Sequence, residues 1–191
     1  MSELKKYKMF IDGEWVDSES KKTFQTLNPE NNEPWAEVPE ASEKDVDKAV
    51  KAAQKAFEGT WPSLFPKERA KYLKAIAEQL RKNAELLGKI ETIDTGKLFK
   101  ETKTQANYIA EYYDYYAGLA DKVEGTVLPI DKPDMQVITT RVPIGVVVAI
   151  IPWNSQMLLT AVKLAPALAM GNTVVIKSSE LAPATLFEFG K

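Results

Sequence analysis

Residues 144–177 read IGVVVAIIPWNSQMLLTAVKLAPALAMGNTVVIK, and the succession of patterns in this stretch decides the fold. From Ile144 to Ile151 the chain is continuously apolar, the pattern of a parallel strand covered on both faces. From Ser155 to Met170 the apolar residues return at helical spacing, with Leu158, Val162, Ala165 and Ala169 as the expected inner stripe. Pro166 should bend this helix and Gly171 should cap its end. The segment NTVVIK, 172–177, is a second buried strand. Strand, helix and strand with short joints make a βαβ unit, predicted right-handed, and put the chain in the α/β class.

Open parallel sheets bind ligands beyond the carboxyl ends of their strands. Here the first strand runs into Trp153 and Asn154, and the second into Lys177 and Glu180. Parallel pairing predicts both ends on one edge. An amide at Asn154 can donate to a developing oxyanion. Lys177 and Glu180 can grip a polyhydroxylated ligand such as a ribose. A structural reading stands beside each: Asn154 as the helix N-cap, and Lys177 with Glu180 as a surface ion pair. Neither G-x-G-x-x-G nor G-x-x-x-x-G-K-[ST] occurs, so no phosphate loop is claimed.

Upstream, KMFIDGEWV predicts a hairpin turning at Asp12-Gly13. TFQTLNPENNEPWAEVPEA predicts a second, broken at Asn28-Pro29 and Asn31-Asn32. Three helices are expected next. Ser42 caps the first, whose stripe is Val46, Ala49, Val50, Ala53 and Phe57, and Gly59 ends it. Pro66 opens the second, which continues through AELLGKIETIDT to Gly96. The third runs from Lys100 to about Asp121. It puts Tyr108, Tyr112 and Tyr116 on one face, for helix packing or a subunit contact, or as a stacking platform without a basic groove. Residues 125–143 alternate around DKPD as an outward antiparallel hairpin.

The chain has 191 residues, a net charge of −2, no Cys and no His. That charge gives no field for nucleic acid. The zero counts remove disulfides, thiol nucleophiles, the usual zinc sets and the commonest general base, so no metal is expected. The N-terminal MSELKKYKMFIDGEW lacks the apolar segment of a signal peptide, and Ile144–Ile151 is too short to span a bilayer. A protein without membrane contact, in the cytoplasm, is the expectation.

With these residues in view, VPIGVVVAIIPWNSQMLLTAVKLAPALAMGNTVVIKSSELAP resembles the coenzyme-binding segment of the NAD(P)-dependent aldehyde dehydrogenase superfamily. FIDGEWVDS, NPENNE, DVDKAVKAAQKAF, KERAKYLKAIAEQL and IETIDTGK extend the likeness along the chain. The resemblance implies a partial Rossmann-like coenzyme-binding domain. Residues 1–122 would be its N-terminal part, 123–143 a hairpin entering the oligomerisation domain, and 144–191 the βαβ core. It makes Asn154 the oxyanion-hole asparagine. Ile150, Ile151, Pro152 and Trp153 would lie along the coenzyme. Lys177 and Glu180, with Ser178 and Ser179 between them, would hold the adenosine ribose. Lys163 matches a lysine sometimes given a charge-relay role, although a plain helix residue is the simpler reading. The implied cofactor is NAD, with NADP as the alternative; the substrate is a small aldehyde and the assembly a homodimer or homotetramer.

Two departures from the family pattern stand out. Ser155-Gln156 replaces an aromatic-proline pair, suggesting a wider or more polar substrate channel at Ser155. Ser178 replaces a proline. The family's nucleophilic cysteine, glutamate base and Gly-rich turn would lie beyond Lys191. The expectation is therefore an N-terminal portion of the enzyme without turnover of its own. The rival is a non-catalytic truncated subunit that binds or modulates a partner.

Overall fold

The computed structural model describes residues 4–191, so Met1–Glu3 of the N-terminal stretch read above lie outside the described residues. The βαβ unit is present. Strand β8 (Val146–Ile150) pairs in parallel with β9 (Thr173–Lys177), joined by helix α5 (Gln156–Ala169). α5 ends in a Schellman turn. The Gly171 N–H donates to the Leu168 carbonyl (3.0 Å) and the Asn172 N–H to the Ala167 carbonyl (2.9 Å), with Gly171 at φ 85°. Arg69, itself buried, donates from Nε to the Ala169 carbonyl at 3.1 Å and satisfies another orphan acceptor of that end.

Both N-terminal hairpins form. β2 (Met9–Ile11) and β3 (Glu14–Val16) join through Asp12 and Gly13, both at positive φ as a type I′ turn requires. β4 (Thr23–Asn28) pairs antiparallel with β5 (Glu33–Pro39), and β1 (Lys5–Lys6) adds to β5 in parallel, a partner the turn signals did not announce. β6 (Val127–Leu128) and β7 (Val137–Ile138) make the later antiparallel hairpin, which is mostly exposed.

Four helices, not three, precede that hairpin: α1 (Glu43–Glu58), α2 (Pro66–Lys82), α3 (Ala84–Thr95) and α4 (Phe99–Leu119). The expected continuous second helix breaks at Asn83, whose ψ of 12° leaves the helical range and whose side chain turns back to the Gln79 carbonyl (2.9 Å). α2, α3, α4 and α5 then enclose the main core, built on Leu73, Leu80, Leu87, Ile109, Tyr113 and Met157. α3 and α4 approach very closely. A Cβ on Gly88 would meet the Lys103 backbone N at 2.8 Å, so only glycine fits there. α6 (Ala184–Phe189) follows β9 and packs on α3 and α5.

Three burial expectations need correction. Val46 and Val50 of the α1 stripe are exposed; the buried residue of that helix is Asp45, which closes a capping box with Ser42. On α5 Ala165 and Ala169 of the expected stripe are buried and Leu158 packs against the core, joined by Gln156, Met157, Thr160, Ala161, Leu164 and Ala167, while Val162 is exposed. This helix is apolar nearly all round, so periodicity alone did not separate Val162 from the inner face. β8 is not covered on both faces: Ala149 is buried but Val148 and Ile150 are exposed. Tyr108, Tyr112 and Tyr116 do share a face, with successive ring centroids 6.1 and 5.9 Å apart, and Tyr116 packs against the core.

Candidate functional site at the β8–β9 edge

The two parallel strands end level. Their register runs from Val146 opposite Thr173 to Ile150 opposite Lys177, and the Ile151 N–H donates to the Lys177 carbonyl at 2.9 Å. Asn172 sets the other end of this register, its Oδ1 accepting from the N–H groups of Ile144 (2.7 Å) and Gly145 (3.1 Å). Pro152, extended at φ −76° and ψ 168°, stops the strand. Trp153, Asn154 and Ser155 then form a single 3₁₀ turn that feeds α5.

This geometry leaves Trp153 half exposed and Asn154 exposed at the edge. Asn154 does not cap the helix: the cap position of α5 belongs to Ser155, and no side chain accepts from the helix's first N–H groups. Lys177 Nζ donates to Glu180 Oε2 at 2.9 Å, with both side chains in solvent. Glu180's own backbone N–H, and then Lys177, hold its carboxyl below the usual range. Ile150 stands exposed beside them, whereas Ile151 turns into a small core with Ala149 and Leu186. Ile151 therefore offers a ligand backbone only. Ser179 is buried, its hydroxyl accepting from the Leu181 N–H (3.2 Å), and Lys163 is half-buried on α5.

Spacing alone did not announce a second group beside this edge. Gly96, at φ 77°, ends α3 and turns the chain so that Lys97 reaches the 3₁₀ turn. Lys97 Nζ donates to Ser155 Oγ and lies 3.7 Å from Glu91 Oε1. Glu91 is fully buried, and neither carboxylate oxygen has a hydrogen-bond partner. Burial pushes its carboxyl up, against the pull of Lys97. Gln156 and Thr160, one turn apart on α5, are buried with their side-chain polar atoms unpartnered among the described residues. The IETIDTGK motif holds Glu91 and Lys97, and the Ser155-Gln156 departure marks the other side of the group, but nothing in either links Lys97 to Ser155.

Chemically, the edge offers a free amide donor, a donor–acceptor pair suited to vicinal hydroxyls, and an apolar indole. With Ile150, Trp153, Asn154, Lys177 and Glu180 all exposed, the candidate site within these residues is an open edge. Among the described residues no group of three or more His, Cys, Asp or Glu is placed to hold a metal. No helix among them is long and apolar enough to cross a membrane.

Residues 15–191 match the aldehyde dehydrogenase family. The chain is 49% identical over 189 residues to (Z)-2-((N-methylformamido)methylene)-5-hydroxybutyrolactone dehydrogenase of Acinetobacter baylyi, covering 98% of this chain and 38% of that protein. It is 44% identical over 184 residues to betaine aldehyde dehydrogenase of Bacillus subtilis, covering 96% and 38%. A crystal structure of betaine aldehyde dehydrogenase from Staphylococcus aureus in complex with NAD+ superposes with a TM-score of 0.92 at 38% identity, over 96% of this chain and 37% of that one. The chain thus spans less than two fifths of the length of the curated relatives it matches.

Proposed function

The chain belongs to the aldehyde dehydrogenase family, and from that premise we propose that it is the N-terminal part of an oxidoreductase subunit that oxidises an aldehyde to a carboxylic acid with NAD. The observation that carries this reading is the level ending of β8 and β9, which brings Asn154 and the Lys177–Glu180 pair to one sheet edge.

Each exposed residue of the edge has a part. The Asn154 amide donates to the oxyanion that forms when a nucleophile adds to the aldehyde carbonyl, a stabilisation absent from the planar ground state. Lys177 donates to, and Glu180 accepts from, the hydroxyls of the coenzyme's adenosine ribose. Ile150, Pro152 and Trp153 lie along the coenzyme, with Ile151 and Ser179 supporting them from beneath. NAD, when bound, supplies the hydride acceptor. Glu180 favours NAD over NADP, because its carboxylate would repel a 2′-phosphate. Lys163 is a helix residue in this reading, and Ser155 faces the substrate channel. The thiol nucleophile is not in this chain, which has no cysteine. Residues 1–122 and 144–191 form the coenzyme-binding domain. The hairpin in 123–143 enters a homodimer or homotetramer, and the enzyme works in the cytoplasm.

Replacing Asn154 with Ala in the whole subunit tests this. kcat should fall about 10²–10³-fold, the scale for one lost oxyanion donor, with little change in coenzyme affinity. An unchanged kcat would remove Asn154 from the mechanism.

A further inference from the structure

Lys97 spans 58 residues of sequence to place its ammonium on the hydroxyl of Ser155, the neighbour of Asn154. Its side chain is only 28% exposed, so the charge is partly withdrawn from water. Among the described residues the one carboxylate within 4.0 Å of it, Glu91, stands 3.7 Å away, too far for a good hydrogen bond. An ammonium has three donor protons, and Ser155 takes one. Donor capacity is thus left at the place where the candidate site meets α5.

We infer that Lys97 is a specificity-determining residue of the aldehyde site: held by Ser155, its ammonium binds a carboxylate on the substrate, so that aldehydes carrying a carboxylate are preferred over plain alkanals. This rests on the function proposed above. Glu91 does not cancel the effect, because burial drives its carboxyl toward the neutral form and its oxygens have no donors of their own. The buried and unpartnered Gln156 amide, next after Ser155, is a second polar group on the same turn whose hydrogen bonds this chain does not complete.

The test uses the whole subunit and two aldehydes of similar length, the half-aldehyde of succinate and pentanal. Lys97→Met keeps the length of the side chain and removes its charge. It should lower kcat/KM for the half-aldehyde about 10- to 100-fold more than for pentanal, the range for one charge-assisted hydrogen bond, with the extra loss mainly in KM; any loss shared by both aldehydes reports the slackened Ser155 turn. The double variant Glu91→Gln with Lys97→Met should show the same ratio without a buried, unpaired carboxylate. Succinate binding by calorimetry, which needs no turnover, should weaken by a similar factor in both variants. Equal kcat/KM ratios in wild type and variants, with alkanal oxidation intact, would overturn the inference and leave the proposed function standing. No oxidation of any aldehyde, with succinate binding still dependent on Lys97, would overturn the function and leave the anion site.

Discussion

Asp94 and Glu91 lie one turn apart on α3, both almost inaccessible to water, and they are treated in opposite ways. Asp94 Oδ1 accepts from Thr26 Oγ1 (3.0 Å), and Oδ2 accepts from the Thr185 N–H (3.1 Å) and Thr185 Oγ1 (3.3 Å). It fastens β4 and the start of α6 to α3. Among the described residues Glu91 accepts nothing and has a single cation at 3.7 Å, one that also holds the turn beside Asn154. A buried carboxylate whose partners all come from the scaffold is part of the scaffold. One whose only partner leans toward the binding edge is coupled to that edge. The residue type is nearly the same; the placement of donors decides.

This contrast can be broken by titration, where the largest effect is expected. Burial raises the Asp94 carboxyl from 3.8 to about 6, outweighing the hydrogen bonds from Thr185 and Thr26. The folded form therefore holds the extra proton between those values. The stability from this group is complete below the unfolded value near 3.8 and is lost as pH rises through 6. At about 1.4 kcal/mol per pH unit the swing is about 3 kcal/mol. Denaturant melts from pH 4 to 7 should show it, and Asp94→Asn should flatten the curve. A wild-type curve with no fall across this window would refute the assignment. Asp45 acts in another window. Burial raises its carboxyl, but hydrogen bonds from Ser42, Glu19 and Ser18 overcome this and bring it to about 2, so its contribution disappears only as pH falls through 2.

The next effect is a straightforward loss. At pH 5, where folded Asp94 is mostly protonated, Asp94→Ala leaves the Thr185 N–H and two hydroxyls without their acceptor and should destabilise by about 2 kcal/mol. Circular-dichroism melts measure it, and a variant as stable as wild type would mean that α6 does not need this anchor. The smallest effect belongs to the other acid. Glu91→Gln removes a carboxylate that no hydrogen bond supports, so stability at pH 7 should change by about 1 kcal/mol or less, upward if at all. A loss of about 3 kcal/mol would show that Glu91 has partners after all and would erase the contrast.

The βαβ unit was legible because its signals are local: an apolar run, a helical period, Gly171 and a second run. The hairpin turn at Asp12-Gly13 and the Ser42 cap were legible for the same reason. What escaped was relational. The outward turn of Val162 on α5 was hidden by that helix's uniform apolarity. Helix α3 was hidden because Asn83 is an ordinary helix-surface residue until its side chain folds back. At the candidate edge, Trp153, Asn154, Lys177 and Glu180 could be placed from strand polarity alone. Lys97 could not, because its meeting with Ser155 depends on how α4 and α6, each packed on both α3 and α5, bring those two helices together.

The N-terminal strand has a further consequence. Lys5 Nζ and Tyr7 Oη both donate to Glu188 on α6, at 2.7 and 3.0 Å, across 183 and 181 residues of chain. A ribosome adding roughly 5–20 residues per second leaves the two ends of that seam apart for on the order of ten to forty seconds. The hairpins and the α2–α3 pair, with their partners nearby in sequence, have time to settle before Glu188 exists. In biosynthesis this seam is a late closure, and α6 is seated against a platform that has already formed.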